Sequence, residues 1–255
     1  MKYPPSRLYS LIFALRAWTA FLLYFLPAAL FVIALPGRER RRRAAHRAAR
    51  ALFYLAGIPL RVVGLELLPP GSCFLASNHA TYLDGPLLTA ALPPRFGFVI
   101  KREAMKAPLV GWLLVRLGSE FVERFNTRAA LSDATRLIQL ARDGVSLGVF
   151  PEGTFRPEPG LRSFHLGAFL AATRAGIPVV PVVIRGARDI LPGETPWPHP
   201  GRVEVELLAP IMAAGKRGDD ARTLRDKVRA SILAHCSEAE RLNAQPQHRQ
   251  SKDSL

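Results

Sequence analysis

The stretch CFLASNHATYLDGPLLTAAL, from Cys73 to Leu92, carries the fold in one unit. Its first five residues are a short apolar run that reads as a buried strand, and Asp84 to Leu92 reads as a helix. Between them lie Asn78, His79 and Asp84, at the carboxyl end of a strand, where sites form in open α/β sheets. Histidine, with an unperturbed pKa of about 6.5, suits proton abstraction near neutral pH. A carboxylate beside it fixes its tautomer and stabilises the imidazolium. Five positions on a regular helix put two residues roughly 140° apart, so His79 and Asp84 meet only across a turn or a helix start. A polar loop histidine beside an unrelated helix-start aspartate fits the same letters.

Downstream, strand and helix patterns alternate. Phe96 to Ile100 reads as a strand, Leu109 to Leu117 as a helix and Glu120 to Val122 as a brief strand. Thr127 to Arg142 is an amphipathic helix closed by Gly144. Val145 to Phe150 reads as a strand, Gly167 to Ala175 as a helix stopped by Gly176, and Val179 to Ile184 as an apolar strand. Val203 to Leu208 is a later strand and Thr223 to Cys236 a last helix. Upstream, His46 to Leu55 is helical and Leu60 to Leu68 alternates as a strand before Pro69-Pro70-Gly71. Such alternation argues an α/β sheet covered by helices. Pro178 and Pro181 place the Ile177–Val182 strand at an edge or on a special backbone path.

The amino-terminal segment has another character. Ala17 to Leu35 carries no charge over 19 residues, about 28 Å of helix, close to the hydrocarbon thickness of a bilayer. Pro27 would kink it, and Arg16 divides it from a second apolar run, Leu8 to Leu15. A kinked span and an interfacial hairpin both fit. A cleaved signal peptide is disfavoured for want of a small-x-small site, and a core helix for want of a polar face. Arg38 to Arg50 then holds seven arginines and one glutamate. On a spanning segment this flank places the rest of the chain in the cytoplasm. On an interfacial one it meets anionic headgroups.

The net charge of +15 over 255 residues suits an anionic partner: lipid, nucleic acid or a phosphorylated substrate. The adjoining apolar helix makes lipid the nearer one, and no nucleic-acid partner is expected. Cys73 and Cys236 form no disulfide framework and have no metal-ligand spacing, so free thiols and a cytosol-facing domain are expected.

Two further stretches present polar groups. Phe150-Pro151-Glu152-Gly153-Thr154 ends a strand, with glycine allowing close backbone approach to a ligand; an ordinary turn reads the same way. Arg124, just past Glu120–Val122, is either a phosphate fork or a surface arginine.

Together these stretches resemble the glycerophospholipid acyltransferase family, above all its 1-acylglycerol-3-phosphate acyltransferases. The family's Asn-His-x4-Asp block is matched by Asn78, His79 and Asp84. Its aromatic-aliphatic strand ending in arginine is matched by Phe121-Val122-Glu123-Arg124, its Phe-Pro-Glu-Gly-Thr block by Phe150 to Thr154, and its Ile-Pro-x-x-Pro strand by Ile177 to Pro181. Order and spacing agree over roughly residues 55 to 210. The resemblance implies a mixed sheet covered by helices, the glycerolipid acyltransferase fold. The expected division is a membrane-associated apolar helix or hairpin with its Arg-rich flank over 1–50, a catalytic domain over 51–244 and a polar tail over 245–255.

The resemblance also implies a mechanism. His79 deprotonates a glycerol hydroxyl, Asp84 orients the imidazole, and the oxygen attacks the thioester of acyl-CoA or acyl-carrier protein without an acyl-enzyme. Arg124, Glu152, Gly153, Thr154 and Asn78 bind substrate. The acceptor is a lyso-glycerophospholipid, lysophosphatidic acid first and a lyso-aminolipid second. No metal or bound cofactor is implied. The expected setting is the cytoplasmic side of a bacterial inner membrane, on an anionic surface. One departure is that Phe155 stands where the family often has arginine, which here is Arg156. His165, in the run after that block, reads as structural.

Two rivals remain. Gly144-Val145-Ser146-Leu147-Gly148 fits the G-x-S-x-G pattern of a serine hydrolase, although here a helix precedes the motif and a strand contains it. A non-catalytic membrane adaptor on the same fold is disfavoured because His79, Asp84 and Glu152 are all present.

Overall fold

A computed structural model describes residues 7–123, 127–154, 160–193 and 195–236, with 127–131 described as backbone alone. The short apolar runs form a seven-stranded mixed sheet. The strands are β1 (Leu60–Val63), β2 (Phe74–Ser77), β3 (Gly97–Lys101), β4 (Glu120–Val122), β5 (Leu147–Val149), β6 (Val179–Arg185) and β7 (Val203–Leu207). Their spatial order is β1-β7-β6-β2-β5-β3-β4. From β6 to β4 every pairing is parallel, whereas β7 runs against β6 and β1 runs with β7. The helices are α1 (Arg7–Ala20), α2 (Leu26–Ala34), α3 (Arg38–Ala56), α4 (Asp84–Ala91), α5 (Val110–Arg116), α6 (Thr127–Arg142), α7 (Gly167–Ala175), α8 (Ala187–Ile190) and α9 (Gly218–His235).

The period-2 alternation of the strands divides the core in two. Leu75, Val180, Val182 and Val205 face α3 and α4, packing with Phe53, Leu87 and Leu88. Phe74, Ala76, Val179 and Val183 face α6, α7 and α9, packing with Leu137, Phe169, Leu224 and Val228. Each fully buried Leu or Phe contributes about 1.5–3 kcal/mol relative to exposure. Both faces of β2 are covered, which explains its unbroken apolar run.

Three expectations are corrected. The alternation from Leu60 to Leu68 does not stay a strand. Gly64 turns the chain at φ +81°, packed so close that a Cβ there would meet the Leu207 carbonyl oxygen, and a 3-10 turn comes next over Leu65–Leu67. The last helix starts at Gly218 rather than Thr223, because Asp220 accepts the Arg217 N–H at 2.8 Å and caps its first turn. The proline-bearing strand β6 is not at an edge, since it pairs with both β2 and β7. The missing N–H of Pro181 falls where the antiparallel ladder slips. Between the Val182↔Leu207 and Val179↔Ile211 pairs one strand advances three residues and the other four, which is a bulge.

The amino-terminal segment is helical from Arg7 to Ala34, 28 residues long and apolar enough to cross a membrane, with 11% of its most apolar stretch buried. It is therefore not a core helix. Pro27 cannot donate to the carbonyl four residues back, and the chain relieves this with a π turn over Phe21–Phe25. A turn at residues 35–37 brings α3 back alongside, so the hairpin pairs this helix with α3 rather than joining two short apolar runs. Arg16 does not interrupt the helix: its Nε and Nη2 donate to the carbonyls of Leu55 and Tyr54 and close the end of α3. The arginine run is partly internal as well. Arg42 donates to the carbonyls of Leu117, Arg95 and Gly118 at 2.9, 2.9 and 3.1 Å, and Arg41 to Leu35 at 2.7 Å. Arg38, Arg40, Arg43 and Arg47 face solvent.

Candidate active site

Because β2 and β5 are parallel neighbours, the loops leaving their carboxyl ends lie side by side. β2 delivers Asn78 and His79, and β5 delivers Pro151 and Glu152, 73 residues further on. The carboxyl ends of β3 and β4 complete the same rim, carrying Lys101 and Glu123.

Asp84 opens α4 and reaches back over the turn. Its Oδ2 lies 2.7 Å from His79 Nδ1 and accepts the peptide N–H groups of Ala80 and Thr81 at 2.6 and 2.9 Å. Thr81 Oγ1 donates to Oδ1 at 3.3 Å and accepts the Leu83 N–H at 3.0 Å. The turn that the five-residue spacing requires is thus built around the carboxylate itself. Asp84 is fully buried, whereas the His79 side chain keeps 18% of its surface. With Nδ1 turned to the carboxylate, Nε2 is the other ring nitrogen. Phe150 stacks on the imidazole at 4.2 Å between centroids. The ring is thereby held in one plane on a largely dry support.

The other residues expected at the site split into two groups. Asn78 is buried, with its amide spent on β6: Nδ2 donates to Ile184 O at 3.0 Å and Oδ1 accepts Ile184 N–H at 2.8 Å. Glu152 is buried too. Its Oε1 accepts the His79 N–H at 2.8 Å and its Oε2 the Arg162 N–H at 2.9 Å. Both side chains tie backbones together beneath the imidazole. Gly153, at φ +86°, takes the left-handed turn conformation, and its N–H donates to Phe150 O at 3.0 Å. Thr154 comes next and is exposed. Arg124 and Arg156 lie outside the described residues.

Ser146 lies elsewhere. It sits just before β5, at the amino end of the sheet, about six strand residues or roughly 20 Å from His79. Its Oγ accepts the Cys73 N–H at 3.3 Å and is buried, with no histidine among its partners in the described residues. That position removes the nucleophile-elbow reading. Cys73 is a buried free thiol whose pKa burial pushes up, which disfavours a thiolate.

The Arg162 peptide that Glu152 holds lies in the Gly160–Phe169 run after the Phe150–Thr154 block, where the sequence assigns it no role of its own.

Comparisons with known proteins bear on the family and the fold. A family model described as Acyltransferase matches residues 59–185. The chain is 34% identical over 183 residues to a mouse 1-acyl-sn-glycerol-3-phosphate acyltransferase alpha, covering 71% of this chain and 64% of the mouse protein, so somewhat under two thirds of that relative is spanned. It is 31% identical over 232 residues to the human protein of that name, covering 90% and 81%. It is 32% identical over 195 residues to a lyso-ornithine lipid O-acyltransferase of Pseudomonas aeruginosa, covering 70% and 74%. The crystal structure of a 1-acyl-sn-glycerophosphate acyltransferase from Thermotoga maritima superposes with a TM-score of 0.69 at 22% identity, over 90% of this chain and 97% of that one, and shares the fold.

Proposed function

Since the chain belongs to the glycerophospholipid acyltransferase family and is an acyltransferase, we propose that it moves a fatty acyl group from an acyl thioester to the free hydroxyl of lysophosphatidic acid, giving phosphatidic acid. The observation that carries this reading is the pairing of His79 Nδ1 with the buried Asp84 carboxylate at 2.7 Å.

In this mechanism His79 Nε2 takes the proton of the acceptor hydroxyl as the oxygen attacks the thioester carbon. Asp84 accepts the Nδ1–H and offsets the charge of the imidazolium. The tetrahedral intermediate collapses, the carbon–sulfur bond breaks and the imidazolium proton goes to the leaving thiolate. Ester and free thiol result, no acyl-enzyme forms and no redox partner is needed. His79 and Asp84 are the catalytic pair. Glu152 and Asn78 position the loop that carries His79, and their bonds to backbone support that role. Gly153, Thr154 and Arg124 complete the substrate side, with Arg124 on the acceptor phosphate. Neither a bound cofactor nor a metal is required, and either acyl-CoA or acyl-carrier protein supplies the acyl group.

A lyso-ornithine lipid is the second acceptor reading, favoured by the similarity to the Pseudomonas protein of that activity. The proposed setting is a bacterial inner membrane with the catalytic domain on the cytoplasmic side. The apolar helix from Arg7 to Ala34 supports it, as does the exposed arginine face of α3. The test is acyl transfer by purified protein with a panel of lyso-acceptors against both thioester types. Transfer to lysophosphatidic acid above the other acceptors is expected. Turnover confined to lyso-ornithine lipid would replace the first acceptor by the second.

A further inference from the structure

The chain has three tryptophans, Trp18, Trp112 and Trp197, and all three lie on or beside the amino-terminal helix. Trp18 is in α1, and its Nε1–H donates to the Pro196 carbonyl at 3.2 Å. Trp197 comes next in the chain, on the loop between α8 and β7, and is 56% exposed. Trp112 is in α5, which packs against α2, and is 69% exposed. Met105, Val110 and Val115 around it are exposed, as are Leu26, Leu30 and Phe31 on α2. One exposed apolar side chain needs no explanation, whereas a cluster of them marks a surface that meets something. Tryptophan is enriched where a lipid layer meets water, because its ring is apolar and its N–H is polar.

The amino-terminal helix is docked on the rest of the protein along its length. Phe13 and Ala14 towards one end and Ala29 and Val32 towards the other are buried. Arg16 holds the Leu55 and Tyr54 carbonyls, and Arg116 of α5 gives Nε and Nη2 to the Ile33 carbonyl at 3.0 and 2.8 Å. A helix held in this way takes its flanks with it into a bilayer. Standing upright, it would draw α3 into the hydrocarbon with the exposed Arg40, Arg43 and Arg47, and charged side chains are among the most costly to place there. Lying in the plane of one leaflet needs no such transfer, and it brings the surfaces on either side of the helix to the lipid.

We propose that Trp112 on α5 and Trp197 on the α8–β7 loop are interfacial anchors of the catalytic domain, set into the same anionic leaflet as the amino-terminal helix, one beside α2 and the other beside α1. Lys101, Arg102 and Lys106 lead into α5, are exposed, and match an anionic headgroup layer. A single 3-10 turn, Arg102–Lys106, separates the carboxyl end of β3, on the rim of the His79 site, from the segment that opens α5. The leaflet under α5 is thereby brought near that rim. This surface rests on the membrane setting proposed above and not on the choice of acceptor.

The test uses the full chain, with three variants that each keep one tryptophan and carry phenylalanine at the other two positions. Each is placed on vesicles of phosphatidylglycerol and phosphatidylethanolamine, with and without bromine on the acyl chains, and its fluorescence is read. Trp18, Trp112 and Trp197 should each shift to shorter wavelength and be quenched by the brominated lipid. Trp112→Glu and Trp197→Glu should each weaken vesicle affinity about ten-fold, and together by more. Both should melt at the wild-type temperature in detergent, because the side chains they replace are exposed. A protein that binds vesicles with Trp18 quenched and either of the other two untouched would overturn the assignment. So would unchanged vesicle affinity in the double glutamate variant, or cross-linking between copies through position 112 in place of quenching, which would give the surface to a second copy of the chain. Failure of the wild type to bind vesicles at all would remove the membrane setting itself, and this surface with it, while leaving the acyl-transfer assay to decide the activity.

Discussion

Glu152 Oε1 accepts the peptide N–H of His79 at 2.8 Å, joining two stretches that lie 73 residues apart in sequence. Its other oxygen holds the Arg162 N–H, so one buried carboxylate sets where the His79 loop sits. Glu152→Gln keeps the shape and replaces one acceptor oxygen by a donor, which then faces a peptide N–H. A hydrogen bond to a charged group contributes about 1.5–3 kcal/mol. The variant should lose that order of stability and show kcat reduced about ten-fold or more, because the imidazole is displaced. Calorimetry and kinetics on one preparation check both; a variant with normal kcat would remove the positioning role.

Asp84 has three N–H groups on one oxygen, from the His79 ring and the Ala80 and Thr81 peptides. Asp84→Asn should lower turnover by up to about 10⁴-fold, because the imidazole tautomer is no longer fixed and the imidazolium loses its counter-charge. Acceptor binding should be largely retained. His79→Ala should match that loss with its circular dichroism unchanged. Near wild-type turnover in a folded His79→Ala protein would end the assignment.

Ser146→Ala should stay active and a fluorophosphonate should not label the wild type. The Ser146 hydroxyl serves the buried Cys73 N–H at the far end of the sheet, so its loss should cost about 1–3 kcal/mol of stability and leave turnover intact. Mass spectrometry of the treated protein reads the outcome. An adduct at Ser146, lost with activity in the alanine variant, would restore a hydrolase.

How far these features are legible in the sequence depends on whether they are local. The strand at Phe74, the helix at Asp84 and the glycine stops at Gly144 and Gly176 arise from patterns within a few residues, and the structure has them. The His79–Asp84 contact is readable as a requirement for a turn, but not as the three-donor arrangement that makes it. The position of β6 is not readable, because the bulge that accommodates Pro181 belongs to the partner strand, some thirty residues on. The arginine run is misread in part for the same reason. Nothing in its letters says that Arg42 finds carbonyls on β3 and α5 flanks while Arg40 finds water.

That division within the run gives a paired prediction. Arg42→Ala should lower Tm, since three carbonyls lose their donor, and leave affinity for anionic vesicles little changed. Replacing Arg40, Arg43 and Arg47 together by alanine should do the reverse. Each exposed arginine near an anionic surface contributes about 1 kcal/mol, screened as salt rises. Vesicle sedimentation at two salt concentrations, beside thermal unfolding, separates the two. Unchanged vesicle binding in the triple variant would dismiss α3 as a headgroup contact.

The last prediction concerns acid. Arg185, at the end of β6, hydrogen-bonds Glu204 and Glu206 on β7 and gives Nη1 to the His235 carbonyl at 2.7 Å, so it pins the end of α9 to the sheet. The hydrogen bond from Arg185 holds the Glu204 carboxyl below the usual carboxylate range, with the charges of Arg185, Arg61 and Arg202 adding to it. A carboxyl whose folded pKa is depressed contributes stability that is fully present above its unfolded pKa. That stability is lost as pH falls through the folded value. Glu204→Gln should therefore melt below wild type at neutral pH. The pair is partly exposed, so the difference should be of the order of 1 kcal/mol or less, roughly 2–4 °C at most for a chain of this size. On acidification the two melting curves should converge, and below the folded pKa of Glu204 they should coincide. Arg185→Ala should start with a larger gap, because the His235 carbonyl loses its donor as well, and should keep that non-titrating part of the gap at the acid end. Calorimetric melts from pH 7 down to pH 3 decide it. A gap for Glu204→Gln that persists unchanged at the acid end would mean that the glutamate acts through packing and not through its charge.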